Sequence, residues 1–281
     1  MAGMLYLCAT PIGNLQDMSP RIIETLGMVD LIAAEDTRNS IKLLNHFGIS
    51  TPMTSYHEYN KIDKARTLIA KMKEGQNVAL ITDAGTPGIS DPGEVLVAMC
   101  MEEGIRVTSL PGPAALIVAL TLSGLHTRRF CFEAFLPSDK KERTLILNDL
   151  KDETRTIIIY EAPHHLKSTL KELSDTLGER RITVCRELTK KFETVMPTTL
   201  NGAIAYYEDN DPRGEYVLVI EGRNFADIEQ EKQDSYREVS IEDHMQMYLD
   251  KGMDQKEAMK AVAKDRGVSK RDIYNYLLGS K

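Results

Sequence analysis

The stretch that decides the fold is Val78–Gly93, VALITDAGTPGISDPG. Val78, Ala79, Leu80 and Ile81 form an unbroken apolar run, as expected of a strand buried on both faces of a parallel sheet. Asp83 ends the run, and Gly85, Pro87 and Gly88 follow. Glycine allows positive φ and close approach of a ligand to the backbone, while proline stiffens the same loop. Asp91-Pro92-Gly93-Glu94 then reads as a helix start, with Asp91 at the N-cap, Pro92 at the first helical position and Glu94 closing a capping box. Strand, rigid loop and helix N-terminus together describe a small-molecule cradle at the carboxyl edge of a parallel sheet. An ordinary tight turn with a capped helix is the alternative reading of this stretch alone.

On the N-terminal side the same alternation repeats. Leu5–Ala9 reads as a strand ending in Thr10-Pro11-Ile12-Gly13-Asn14, and Ser19-Pro20 caps a helix that places Ile22, Ile23, Leu26 and Val29 on one face. Leu31–Ala34 is a second strand, ending in Glu35-Asp36-Thr37-Arg38. Helices over Ser40–Phe47 and Ala65–Lys73 flank a strand near Met53–Tyr56. On the C-terminal side Val107–Leu110 is a fifth strand, ending in Pro111-Gly112-Pro113. Three Pro/Gly-rich loops therefore open at one edge of one sheet. None matches the dinucleotide fingerprint or the P-loop, so an ordinary nicotinamide or ATP site is disfavoured.

After an apolar helix over Ala114–Leu122 a second α/β set begins. It has strands at Phe130–Phe135, Thr156–Tyr160, Ile182–Cys185 and Gly214–Ile220, a polar loop at Ser138–Arg143 and a helix from His165 to Leu177. Residues 1–113 and 114–223 are thus expected to be two α/β domains. Residues 224–239 lose apolar periodicity and read as an acidic linker. Residues 240–281 read as a small all-α unit, with helix starts at Ser240/Asp243, Asp254/Glu257 and Ser269/Asp272. Its second helix would bury Ala258, Ala261 and Val262, and its third Ile273, Tyr276 and Leu277. A glycine turn at Gly267, with Lys264, Arg266, Lys270 and Arg271 outside, resembles a helix-turn-helix nucleic-acid module.

Composition narrows the class. The chain has 281 residues, 42% hydrophobic and 27% charged, enough for a sizeable core. No run approaches a membrane span, and the N-terminus enters a strand directly, so a cytoplasmic protein is expected. Four cysteines without a CxxC pattern point to buried thiols rather than disulfides, and no metal site is expected. The net charge of −7 is uneven: residues 251–281 carry +4, leaving −11 on the rest. An acidic body with a basic tail hints at a polyanionic partner.

The blocks ATPIGN, LIAAEDTR, ITDAGTPGISDPG, PGPAA, FLP, EAPHH, RELTK and GEYVLVIEG stand in the order found in the tetrapyrrole-methylase-like superfamily. The chain resembles most its branch of small-subunit ribosomal RNA methyltransferases I, over nearly the whole length. The resemblance implies two α/β domains clasping S-adenosylmethionine, a metal-free homodimer, and 2′-O-methylation of a decoding-centre cytidine in 16S rRNA of the 30S subunit. Carried over position by position, cofactor contacts fall on Pro11, Asp83, Ala84, Gly85, Ile89, Ser90, Asp91, Pro111, Ala114 and Ala115. From the second half they fall on Tyr160, Glu161, Ala162, Leu188, Tyr216 and Val217.

A ribose hydroxyl is a weak nucleophile at neutral pH, so a carboxylate, a neutral lysine or a cation beside the developing alkoxide is sought. Charged residues cluster at two strand ends: Glu35, Asp36 and Arg38, and Arg186, Glu187 and Lys190. Lys190 or Glu187 is expected to assist the hydroxyl, Asp36 is a further catalytic candidate, and Arg38 and Arg186 are expected on phosphate. A corrinoid or porphyrin methylase and a non-catalytic RNA-binding protein remain as alternatives.

Overall fold

The computed structural model describes residues 2–279. The first half alternates strand and helix. β1 (Met4–Cys8) leads through a short 3-10 turn to α1 (Pro20–Met28), then β2 (Leu31–Ala34), α2 (Thr37–His46), β3 (Met53–Ser55) and α3 (Lys61–Lys73). β4 (Val78–Ile81), α4 (Gly93–Glu102), β5 (Arg106–Leu110) and α5 (Ala115–Leu122) complete it. All five strands are parallel, in the order β3-β2-β4-β1-β5. Every residue of β4 is buried, as its apolar run required, because helices cover both faces. One face packs Leu5, Leu80 and Leu96 with α3 and α4, and the other packs Ile22, Leu26, Ile32 and Ile81 with α1 and α2. α1 starts as expected, with Ser19 Oγ accepting from the Ile22 N–H. α2 starts earlier than expected, because the Asp36 side chain caps it.

The second half continues with β6 (Phe130–Phe135), α6 (Lys140–Leu150), β7 (Thr156–Glu161), α7 (Leu166–Leu177) and β8 (Arg181–Arg186). β9 (Thr194–Thr199), α8 (Leu200–Asp209) and β10 (Tyr216–Ile220) follow. The order is β6-β7-β10-β8-β9, with β6 parallel to β7 and every other pair antiparallel. The polar segment Ser138–Arg143, expected to be a loop, runs into α6, where Asp139 Oδ1 accepts from the Glu142 N–H. β9 and α8 escape sequence reading because Thr194–Thr199 is half-exposed and breaks the apolar run with Pro197. α5 buries Leu116, Ala119 and Leu120 in a core shared with Ile12 of the first half and Ile158, Cys185, Val217 and Val219 of the second, and leaves Ile117 and Leu122 exposed.

By packing, the chain up to Leu147 together with Thr156–Glu221 forms one compact unit, so the expected boundary at residue 113 lies inside it. The second unit joins Asn148–Arg155 to the chain from Gly222 onward. Gly222 lies so close to the backbone of Thr154 and Arg155 that a Cβ there would sit 2.3 Å from the Thr154 carbonyl, and the Arg223 N–H donates to Glu153 O.

In this second unit the expected linker is instead a helix, α9 (Phe225–Arg237), capped by Asn224. Apart from Phe225, Ile228 and Tyr236 it is built mainly of polar residues, and none of its residues is buried. Side-chain bonds one turn apart, Gln230 to Asp234 and Arg237 to Asp234, help to hold it in place of an apolar stripe. α10 (Ile241–Leu249), α11 (Gln255–Asp265) and α12 (Lys270–Gly279) begin at the expected caps, with a full capping box at Asp254/Glu257 and reciprocal Ser269–Asp272 bonds. Their core is Met245, Ala258, Val262, Ala263 and Ile273. Ala263 takes the buried place expected of Ala261, and Tyr276 is 47% exposed rather than inward. Residues 280 and 281 of the expected tail lie outside the described residues.

Candidate functional site

Parallel strands place the loops after β1, β2, β4 and β5 at one edge, and hydrogen bonds knit these loops together. Thr10 and Gly85 exchange both backbone bonds, at 2.9 and 3.1 Å, and Thr10 Oγ1 donates to Thr82 O. Gly112 stands where a Cβ would come 2.5 Å from the Ala9 Cβ, so the loops after β1 and β5 touch only because a side chain is missing there.

The focal loop is held by Asp91. Its carboxylate accepts the N–H groups of Gly88, Ile89 and Gly93 at 2.8–3.0 Å. Pro92, not Asp91, stands at the cap position of α4. Asp91 is thus a loop organiser as well as a helix-start residue. Gly85 and Gly88 have φ of +91° and +86°, which explains both glycines, and Ser90 shares the left-handed region at φ 65°. A non-glycine residue held there costs free energy that surrounding structure must offset.

The second sheet offers the matching edge: the end of β7, the turn after β8 and the start of β10. Tyr160 Oη accepts the Leu116 N–H of α5 at 3.1 Å. Glu161 is buried; its carboxylate accepts from the Ala162 N–H and from Thr169 Oγ1, and Arg143 donates to the same Thr169 hydroxyl. The turn Glu187–Lys190 carries two further left-handed residues, Glu187 at φ 52° and Thr189 at φ 64°. It is wedged between two glycines. A Cβ on Gly13 would lie 2.4 Å from Lys190 Cγ, and one on Gly214 would lie 2.6 Å from the Glu187 carboxyl.

Between these edges lies a cleft of about 460 Å³, in the size range of small-molecule sites. Of the residues expected at a cofactor, Ala84, Gly85, Ile89, Ser90, Asp91, Ala114 and Ala115 line it from the first half. Tyr160, Glu161, Ala162, Leu188, Tyr216 and Val217 line it from the second. Pro11, Asp83 and Pro111 do not line it. Ile12 takes the place expected of Pro11, and Asp83 is turned to loop ordering, accepting from the Asp36 N–H at 3.2 Å and Asn39 Nδ2 at 3.0 Å. Sequence reading did not place Thr82, Phe135, Pro163 or Glu215 there. The FLP and GEY blocks pointed at Phe135 and Glu215, but only the sheet register brings them to the same end.

The expected catalytic residues part company. Lys190 lines the cleft with its ammonium 2.9 Å from Glu187 Oε1 and 2.7 Å from Glu215 Oε2. Burial works against that charge, but the two carboxylates more than offset it and hold the Lys190 pKa above the ordinary lysine value. The ion pairs favour the charged ammonium over a neutral amine at this position. Glu187 stands behind it. Burial pushes its carboxyl up, yet the Glu215 N–H and the Lys190 ammonium hold it below the usual range. Asp36 lies outside the cleft and is spent on Arg38, whose guanidinium holds the Asp36 carboxyl down to about 2. Glu35 lines the cleft in its place, and burial, with Asp83, Asp91 and Asp36 nearby, pushes its carboxyl up.

Of the residues expected to meet RNA, Arg38 has an 87% exposed side chain, and Arg186 keeps a buried Nε with no partner among the described residues. In the helical unit Lys264 and Arg271 are exposed and Lys270 half-exposed. Arg266 is not outside: it is 8% exposed and donates to His244 Nδ1 and to the carbonyls of Val239 and Ser240. Among the described residues no group of His, Cys, Asp and Glu could hold a metal ion, and no helix is long and apolar enough to cross a membrane.

Comparison with known proteins places the chain in a family. Residues 4–203 match the profile of the Tetrapyrrole (Corrin/Porphyrin) Methylases. A Synechocystis protein named ribosomal RNA small subunit methyltransferase I is 50% identical over 277 residues, 98% of each chain. Its namesake from Bacillus subtilis is 45% identical over 273 residues, 97% of this chain and 93% of that one. Among solved structures, a diphthine synthase superposes with a TM-score of 0.60 at 12% identity, over 78% of this chain and 90% of its own. A uroporphyrin-III-C-methyltransferase from Thermus thermophilus gives 0.56 at 17%, over 77% and 94%. Those two likenesses speak for the fold of the paired sheets. With a family profile spanning most of the chain and near-full-length relatives at this identity, the chain belongs to the tetrapyrrole methylase family, within its ribosomal RNA small subunit methyltransferase I branch.

Proposed function

We propose that this protein uses S-adenosylmethionine to methylate the ribose 2′-hydroxyl of a decoding-centre cytidine in 16S rRNA of the small subunit. The observation that carries the reading is the cleft itself. Loops from one sheet and strand ends from the other converge on a single small-molecule space in a chain whose near-full-length relatives bear an rRNA methyltransferase name. The residues present fit the cofactor. Ile89, Leu188, Val217 and Phe135 offer apolar surface for an adenine, and a glycine loop offers backbone groups for the amino-acid end. When bound, S-adenosylmethionine supplies an electrophilic methyl on a sulfonium.

The chain's own residues supply position and charge. Displacement at a methyl is governed by alignment, so the Asp91-tied loop and the Tyr160–Leu116 bond act by holding the cleft's two sides in register. Lys190, kept as an ammonium by Glu187 and Glu215, stabilises negative charge building on the attacking oxygen. Arg38 and Arg186 are assigned to backbone phosphates, which take charge-assisted bonds from guanidinium. In the helical unit Lys264, Lys270 and Arg271, with the exposed ring of Tyr274, make the RNA-facing surface; Arg266 is left out of it. The protein works as a cytoplasmic homodimer in this reading.

The test is transfer of tritiated methyl to naked 16S rRNA, to isolated 30S subunits and to uroporphyrinogen, followed by mass spectrometry of labelled nucleosides. Label on a ribose-methylated cytidine is expected. Label on the macrocycle, or on a base, overturns the proposal.

A further inference from the structure

Resting on the ribose-methylation reading above, we infer that Glu35, at the end of β2, is the group that takes the proton from the attacking hydroxyl. Four carboxylates line the cleft: Glu35, Asp91, Glu161 and Glu215. Three are already engaged. Asp91 accepts three backbone N–H groups, Glu161 accepts the Ala162 N–H and the Thr169 hydroxyl, and Glu215 is paired with the Lys190 ammonium. Each bond of this kind favours the ionised form and makes the carboxylate a weaker base. Glu187 and Asp36, the other acids at the two strand ends, are likewise held by Lys190 and Arg38. Glu35 differs, since the one hydrogen bond its carboxylate makes is a 3.4 Å contact from the Asp83 N–H to Oε2.

Its surroundings point the same way. Glu35 is half-buried. The leading charges acting on it are Asp83 on the loop after β4, Asp91 ahead of α4 and Asp36 on its own loop, all acidic; the Lys190 ammonium lines the same cleft. Burial first, and then these three charges, raise its proton affinity against the single Asp83 N–H. A carboxylate lifted above its ordinary range, open to a cleft and short of donors, is matched to general-base work near neutral pH.

The step balances within the cleft. The hydroxyl proton passes to the Glu35 carboxylate while the oxygen's electron pair forms the new bond to the methyl carbon. The carbon–sulfur bond breaks with its pair going to sulfur, so a cationic sulfonium becomes a neutral thioether. The Glu35 proton then leaves to water, and the Lys190 ammonium stays charged throughout.

Glu35→Gln and Glu35→Asp in the full-length protein test this. Calorimetry with S-adenosylmethionine reads binding, and single-turnover methyl transfer to 30S subunits from about pH 5.5 to 9 reads chemistry. Glu35→Gln is expected to bind the cofactor within about threefold of wild type, to lose roughly 100-fold or more in the chemical step, and to lose the acidic limb of the pH profile. Glu35→Asp is expected to recover part of the rate. Turnover of Glu35→Gln within about threefold of wild type overturns the assignment. So does a fall in cofactor affinity that matches the fall in rate, because Glu35 would then be a cofactor contact. If wild type itself labels no RNA, the ribose reading fails first and takes this role with it.

Discussion

At the mouth of the cleft Lys190 meets two carboxylates; in the C-terminal unit Arg266 meets a histidine and two carbonyls. Lys190 sits on a strained turn with its head in the cleft, and its partners raise its charge affinity without closing it off. Arg266 is folded under α10, where its Nη2 donates to the carbonyls of Val239 and Ser240, 2.6 and 2.9 Å away, and its Nε to His244 Nδ1. His244 beside it is fully buried, stacked on Tyr236 at 4.2 Å and within 3.2 Å of Asp265. One cation is presented and the other consumed. The difference lies in where the backbone ends: a turn at a sheet edge leaves the side chain facing a space, whereas a helix C-terminus packed on its neighbour leaves it facing carbonyls.

The sharpest way to break this contrast is Lys190→Ala. If the ammonium stabilises developing charge, turnover on 30S subunits falls about 100-fold or more while the melting temperature moves little. An unchanged rate would make Lys190 a mere wall residue. Arg266→Ala should do the reverse. It leaves buried carbonyls and His244 short of a donor, so the helical unit loses on the order of 2–3 kcal/mol, read by hydrogen exchange in α10 and α11, while cofactor affinity holds.

A smaller effect concerns pH. Burial and the Arg266 charge lower the His244 pKa, against the pull of Asp265. A histidine whose folded value is depressed leaves the unfolded chain binding more protons below the ordinary histidine range. Stability of the helical unit should therefore be flat above about pH 7 and fall as pH drops through and below the ordinary value near ~6.5, and His244→Gln should flatten that slope. Glu35 carries the opposite expectation. Its carboxyl is raised, so its charge costs stability once ionised, and Glu35→Gln should raise the melting temperature slightly at pH 8, with the gain fading in acid. Least of all, Arg271→Ala should leave stability within about 0.5 kcal/mol and reduce the salt slope of RNA binding by about one.

The two constellations also mark how far sequence reading reaches. The five parallel strands, the loops at their carboxyl edge and the tail caps at Ser240, Asp254 and Ser269 were all legible, because each depends on periodicity or on residues adjacent in the chain. α9 was missed because a helix held by Gln230, Asp234 and Arg237 pairs shows no apolar stripe, and β9 because a half-exposed strand shows no run. Pro11 and Asp83 stand next to cleft-lining residues without lining the cleft themselves, a distinction that depends on side-chain direction.

By itself, then, the amino-acid order determined the paired α/β architecture, the glycine loops and the family, since these follow from local backbone preference and from motif blocks. Tertiary structure alone decided which charges are free. Glu35 rather than Asp36 lines the cleft, Lys190 is ion-paired to Glu187 and Glu215 and Arg266 is buried, because the energy of a charge depends on desolvation and on partners far away in the chain, such as Glu215 for Lys190 and Val239 for Arg266.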